Sequence, residues 1–181
     1  MKKQARAYNG RKIAVLALLT GLGLLSFMLE SLLPSMILPG AKLGLANAFS
    51  LFALAAYGLP EALLVVIART VLGSIFAGNV SLLLYSLTAG IVAVTAARLL
   101  LFLSPRVSLL CVSVASAVVH NLVQLAVCCA LTQTVLLITY APYLCLLGVV
   151  AGAAVGCAVI LTLKALPSSA LQRIGAKEDL I

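Results

Sequence analysis

From Val107 to Leu163 the chain runs for 57 residues without a Lys, Arg, Asp or Glu. A helix needs about 20 apolar residues to cross a hydrocarbon core roughly 30 Å thick, so this stretch is too long for a single crossing. Within lipid each backbone N–H and C=O must find a partner inside the protein, and a helix supplies those partners along its own axis. The chain is therefore expected to be an all-α integral membrane protein. Its function must be one that a compact bundle of helices performs in a bilayer.

Composition agrees: of 181 residues, 64% are hydrophobic and 9% charged, against about 25% charged in soluble domains. The net charge of +8 would suggest nucleic acid binding in a soluble chain, but its placement argues against that class. Lys2, Lys3, Arg6, Arg11 and Lys12 precede the first apolar run, Lys164, Arg173 and Lys177 follow the last, and Arg98 and Arg106 bracket a connection between runs. The positive-inside rule puts such flanks on the cytoplasmic side, where they also meet anionic membrane lipids. The expected organisation is a basic cytoplasmic N-terminus over residues 1–12, a six-helix membrane domain over 13–166 and a cytoplasmic tail over 167–181, in the cell membrane. No cleavable signal peptide is expected, because Ile13 to Leu29 is long for a signal core and Glu30 to Pro34 lacks a small-x-small cleavage site.

Pro and Gly punctuate the apolar sequence into six spans, at about 13–33, 43–57, 61–77, 80–103, 107–131 and a last one ending near 163. The second is short enough to be tilted or partly displaced from lipid. Thr132-Gln133-Thr134 is the weakest boundary, with Tyr140 and Pro142 in an irregular start of the sixth span. An even number of spans places both termini on the cytoplasmic side and turns the Lys42 loop, the Gly78-Asn79 turn and the region from Thr132 to Tyr140 outward.

Several residues are too costly in lipid to be filler. Arg69 lies near the middle of span 3, where inserting an Arg costs roughly 2.5–3.5 kcal/mol; it must face protein or a polar cavity, either locking the bundle or binding an anionic group. Glu61, two turns earlier and about 12 Å away along the axis, reads as an interfacial cap or partner contact. Glu30 and Lys42 form either an ion pair or the charged lip of a ligand site. His120, Asn121 and Gln124 share one sector of span 5, as a helix–helix hydrogen-bond network or the polar wall of a substrate cavity. Asn47, Asn79, Tyr85, Gln133 and Tyr140 add polar contacts toward the outside, or cap helices and join the interfacial aromatic belt.

Gly148, Gly152 and Gly156 make a close-packing face on span 6, for another helix of the chain or for a partner membrane protein, and Ala17 and Gly21 make a shorter one on span 1. Cys111, Cys128, Cys129, Cys145 and Cys157 have no metal spacing and read as small core residues. A single His without nearby acidic or cysteine ligands gives no metal site. No phosphate-cradling loop or hydrolase signature is present. Diphosphate chemistry needs carboxylates to hold magnesium, and the four acidic residues, Glu30, Glu61, Glu178 and Asp179, form no convincing cluster. No catalytic activity of its own and no cofactor are expected.

The segment Leu38-Pro-Gly-Ala-Lys-Leu-Gly-Leu-Ala-Asn47, followed by Tyr57-Gly-Leu-Pro-Glu-Ala62, Arg69 and Gly78-Asn79, resembles the Gx transporter family, which also carries the label heptaprenyl diphosphate synthase component I. Tyr85-Ser-Leu-Thr-Ala-Gly90 and His120, Asn121 and Gln124 are consistent with it. That family is similar to the substrate-binding membrane subunits of energy-coupling-factor transporters. The resemblance implies six helices, a ligand near the outer face with the first loop as a lid, and a membrane coupling subunit with two cytoplasmic ATPases as partners. It implies site roles for Lys42, Asn47, Arg69 and Asn79; Ala17-x-x-x-Gly21 only partly resembles the small-residue docking face of those subunits. The expected function is a solute-binding or transport subunit for a small molecule, with Lys42 and Arg69 pointing to an anionic one. The alternative is a non-catalytic membrane component of a prenyl diphosphate synthase.

Overall fold

The computed structural model describes residues 10–32, 44–78, 80–104 and 106–167. Lys2, Lys3, Arg6, Pro34, Lys42, Asn79, Arg173, Lys177, Glu178 and Asp179 lie outside the described residues. The elements are α1 (Gly10–Leu32), α2 (Asn47–Ala56), α3 (Leu59–Ala77), α4 (Val80–Leu103), α5 (Leu109–Thr132), a 3-10 helix (Val135–Tyr140) and α6 (Ala141–Ala165). Gly58 reverses the chain between α2 and α3 at φ 103°, a conformation that favours glycine, and Pro60 occupies the first turn of α3. The Ser108 hydroxyl accepts the Cys111 N–H at the start of α5. The break expected at Thr132 to Thr134 is present: Gln133 turns left-handed at φ 53° and its Nε2 donates to Ala130 O at 2.8 Å.

All six expected helices are present, but among the described residues five are long and apolar enough to cross a membrane. The ten residues of α2 rise only about 15 Å, half the thickness of a hydrocarbon core. Gly44 at φ 78° and Gly58 bound the segment on either side, so the span expected to be short, over 43–57, is a half-length helix. At the other end of the fold α1 starts at Gly10, which makes Arg11 and Lys12 helical rather than part of a preceding tail.

Specific contacts fix the topology. Lys12 Nζ stands 2.6 Å from Glu61 Oε1, bringing the starts of α1 and α3 to one end. A Cβ on Gly90 would stand 2.7 Å from Val66, Ser116 Oγ donates to Ala93 O at 3.2 Å, and Asn121 Nδ2 donates to Leu144 O at 3.0 Å. Sequence neighbours thus run antiparallel from α3 to α6, and Gly10 and Ala165 come to the same end of the bundle.

Exposure is inverted relative to a soluble protein. Leu18, Leu29, Ile75, Phe102, Leu146 and Leu161 are all exposed, whereas Glu30, Glu61, Arg69, His120, Asn121 and Gln124 are buried. Water would not tolerate so much apolar surface; lipid does, and it forces polar groups inward. The five long helices and this exposed apolar belt make the molecule a multi-pass membrane protein in contact with lipid. Only part of the cysteine reading holds: Cys128 is buried, but Cys111 and Cys157 lie on the exposed face, where they pack against surroundings rather than core.

An apolar core of Leu16, Leu54, Val65, Val66, Val94, Leu109, Val159 and Leu163 fills the half of the bundle where α1 starts. The small-residue face of α6 is turned to α5, with Gly148 against Val118, Gly152 against Val114 and Gly156 against Ser113 and Leu110. Asn121 bridges the same interface, so Asn121→Leu is expected to lower stability by about 0.6 kcal/mol, the average for interhelical polar contacts in a bilayer, measured as the shift in thermal unfolding in detergent.

Candidate functional site

Buried polar side chains gather in the half of the bundle opposite the apolar core. Phe27 and Glu30 of α1, Gly44, Ala46 and Asn47 around the start of α2, Arg69 and Thr70 of α3, Ser86 of α4 and His120 of α5 line one cavity of about 10 Å³. That is room for about one water. Five helices contribute to it, so its shape depends on the whole bundle.

On its way to the cavity Arg69 passes close against a glycine on the facing helix. A Cβ on Gly23 of α1 would lie 3.1 Å from Arg69 Cδ, and one on Gly73 of α3 would lie 2.4 Å from the Phe27 ring. The α1–α3 interface is thus two seats, one for the Arg69 chain and one for Phe27. Gly23→Val is expected to push the Arg69 side chain aside at a cost of about 1–3 kcal/mol. Gly21→Val is its control, since nothing lies within 4 Å of a Cβ there; equal losses in thermal unfolding would dismiss the seat.

Arg69 is 3% exposed and Glu30 7%. Glu30 Oε1 accepts the Leu45 N–H, tying the end of α1 to the approach to α2. Asn47 Oδ1, Arg69 Nε, Thr70 Oγ1 and Ser86 Oγ have no hydrogen-bond partner among the described residues. Buried polar atoms are normally paired, so these four leave open donor and acceptor positions around one cavity.

The residues singled out in the sequence divide. Asn47, Arg69 and His120 line the cavity. Gln124 is buried one turn beyond His120, outside the wall, and its Nε2 has no partner among the described residues. Asn121 instead joins α5 to α6. Tyr85 is half-buried while the adjacent Ser86 lines the cavity. Lys42 and Asn79 lie outside the described residues. Ala17 and Gly21 open onto an apolar groove of about 480 Å³ between α1 and α3, shared with Thr20, Leu64 and Ala68.

Thr70 and Ser86 were missed because hydroxyls in membrane helices usually bond to their own backbone. Thr20, Thr88, Thr95 and Thr162 do so, each to the carbonyl four residues earlier; Thr70 and Ser86 do not. Glu61, in the first turn of α3, pairs with Lys12, whose ammonium also stands 5.4 Å from the centre of the Tyr57 ring. The pair was hidden by a sequence separation of 49 residues. No group of three or more His, Cys, Asp or Glu comes together among the described residues.

Residues 19–162 match the family model described as heptaprenyl diphosphate synthase component I. No curated protein and no solved structure matches the chain. With most of its length covered by that match and its helices built as a multi-pass bundle of the cell membrane, the chain belongs to the heptaprenyl diphosphate synthase component I family.

Proposed function

We propose that the chain is a non-catalytic membrane component of a prenyl diphosphate synthase, an anchor or a channel for a lipid product, while a separate subunit performs the magnesium-dependent chemistry. The family match over residues 19–162 carries this reading. Among the described residues Glu61 pairs with Lys12, and Glu30 lines the cavity with Arg69 in the opposite half. The complex isolated from gently solubilised membranes is expected to contain a catalytic prenyl synthase subunit, identified by mass spectrometry. A complex without one removes the reading.

The buried cavity favours a second reading, a solute-binding or transport subunit, because an anchor has no need of a buried Arg69. In that reading a small molecule enters beside Lys42 and Asn47, meets Arg69 and the His120 to Gln124 sector, and is released when a coupling subunit and ATPases reorient the bundle. Recovery of ATPases in the same isolation supports it. In either reading the end of the bundle carrying Arg11, Lys12, Arg98, Arg106 and Lys164 is cytoplasmic, with residues 1–9 and 167–181 on that side. Cysteines placed at residues 4 and 175 are expected to resist an impermeant thiol reagent added to intact cells.

A further inference from the structure

The cavity beside Arg69 also carries information about the charge of its guest, an inference that rests on its being a ligand site, as in the second reading. Two charged side chains line it among the described residues, Arg69 and Glu30, and they are opposite in sign. The remaining described charges sit toward the other end of the bundle: Arg11, Lys12 and Glu61 on the first turns of their helices, Lys164 on the last turn of α6, Arg98 five residues before the end of α4 and Arg106 in the α4–α5 connection. We propose that this cavity receives a head group of zero net charge, uncharged or zwitterionic and rich in oxygen acceptors, and refuses a diphosphate.

The physical basis is charge balance in a medium that screens poorly. A buried charge left without a counter-charge is strongly unfavourable, and a diphosphate brings more than one negative charge beside the one guanidinium and one carboxylate that line the cavity among the described residues. A head of zero net charge preserves the balance that Arg69 and Glu30 already strike. The unpartnered atoms suit such a guest: Arg69 Nε–H donates, and the Thr70 and Ser86 hydroxyls donate or accept. The Asn47 amide offers either sense, since its two ends are interchangeable. A cavity of about 10 Å³ takes one oxygen-sized group, so the guest inserts a carbonyl or carboxylate oxygen here and extends beyond this wall.

The test uses the full chain in phosphatidylcholine nanodiscs at pH 8, above the ordinary imidazole range, with inorganic diphosphate as the probe and thermal unfolding as the readout. Millimolar diphosphate is expected to leave the wild type unprotected. Glu30→Gln keeps an oxygen for the Leu45 N–H and removes the opposing charge, so the variant is expected to bind diphosphate at least about tenfold more tightly; adding Arg69→Gln abolishes the gain. Equal protection of wild type and Glu30→Gln, or protection of neither, overturns the proposal. A second measurement needs no variant: native mass spectrometry of the chain from its own membranes is expected to show a retained molecule of zero net charge, and a retained diphosphate overturns the proposal. Neither readout depends on which subunits copurify, so failure here is separable from failure of the functional readings.

Discussion

Gly152→Leu is expected to drive α5 and α6 apart and to leave little folded protein. A Cβ at Gly152 would stand 2.7 Å from Val114 Cα, 2.9 Å from Ala117 Cβ and 3.0 Å from Ser113 O. Two of these three are backbone atoms, which cannot rotate away as the end of a long side chain can. Ser113 Oγ also donates to Gly152 O at 2.7 Å, a bond that exists only while the two backbones are this close. In lipid there is no hydrophobic drive to hold helices together, so van der Waals packing and interhelical hydrogen bonds carry the interface. Overpacking costs about 1–3 kcal/mol and occasionally more; here the loss is expected at the top of that range, about 3 kcal/mol, by unfolding in mixed micelles. Gly21→Leu is the comparison, expected within about 0.5 kcal/mol of wild type because a Cβ at Gly21 meets nothing within 4 Å. A similar loss at both positions would mean that leucine at any glycine is harmful and that the close approach is not the cause.

The contrast between these two glycines shows what a sequence of this kind discloses. Gly148, Gly152 and Gly156 and the pair Ala17 and Gly21 have the same spacing, yet the first set packs against α5 and the second opens onto a groove. Spacing identifies a face on which a helix can approach; only the fold decides whether one does. The order of the helices was legible because Gly58-Leu59-Pro60, Gly78 and Ser104 to Ser108 interrupt long apolar runs. The length of α2 was less so, since hydropathy does not report where left-handed glycines such as Gly44 bound a helix. Helices apolar on every side give no period from which to read an inward face. What betrayed the inward faces was the cost of Arg69 and His120 in lipid, and both line the cavity. Thr70, Ser86 and Gly23 carry no such cost: each becomes part of the site through a neighbour on another helix.

Lys12→Ala is expected to produce the other large loss. Glu61 is fully buried at the start of α3, and the Lys12 ammonium, whose side chain is 18% exposed, sits 2.6 Å from its carboxylate. Removing one member of a buried ion pair typically costs 3–5 kcal/mol, since the remaining charge keeps its desolvation penalty. Lys12 touches solvent, so the expectation is discounted to about 2–3 kcal/mol. Part of that loss belongs to the Lys12 contact with the Tyr57 ring. Adding Glu61→Gln removes the stranded charge, so the double variant is expected to recover most of the loss in the same unfolding assay. With the Glu61→Gln single variant measured alongside, the cycle gives the coupling energy, which reports how firmly the start of α1 is held to the α2–α3 corner. If the single and double variants unfold alike, the ion pair contributes nothing measurable, and the alignment of α1 with α3 rests on the seats that Gly23 and Gly73 provide for Arg69 and Phe27.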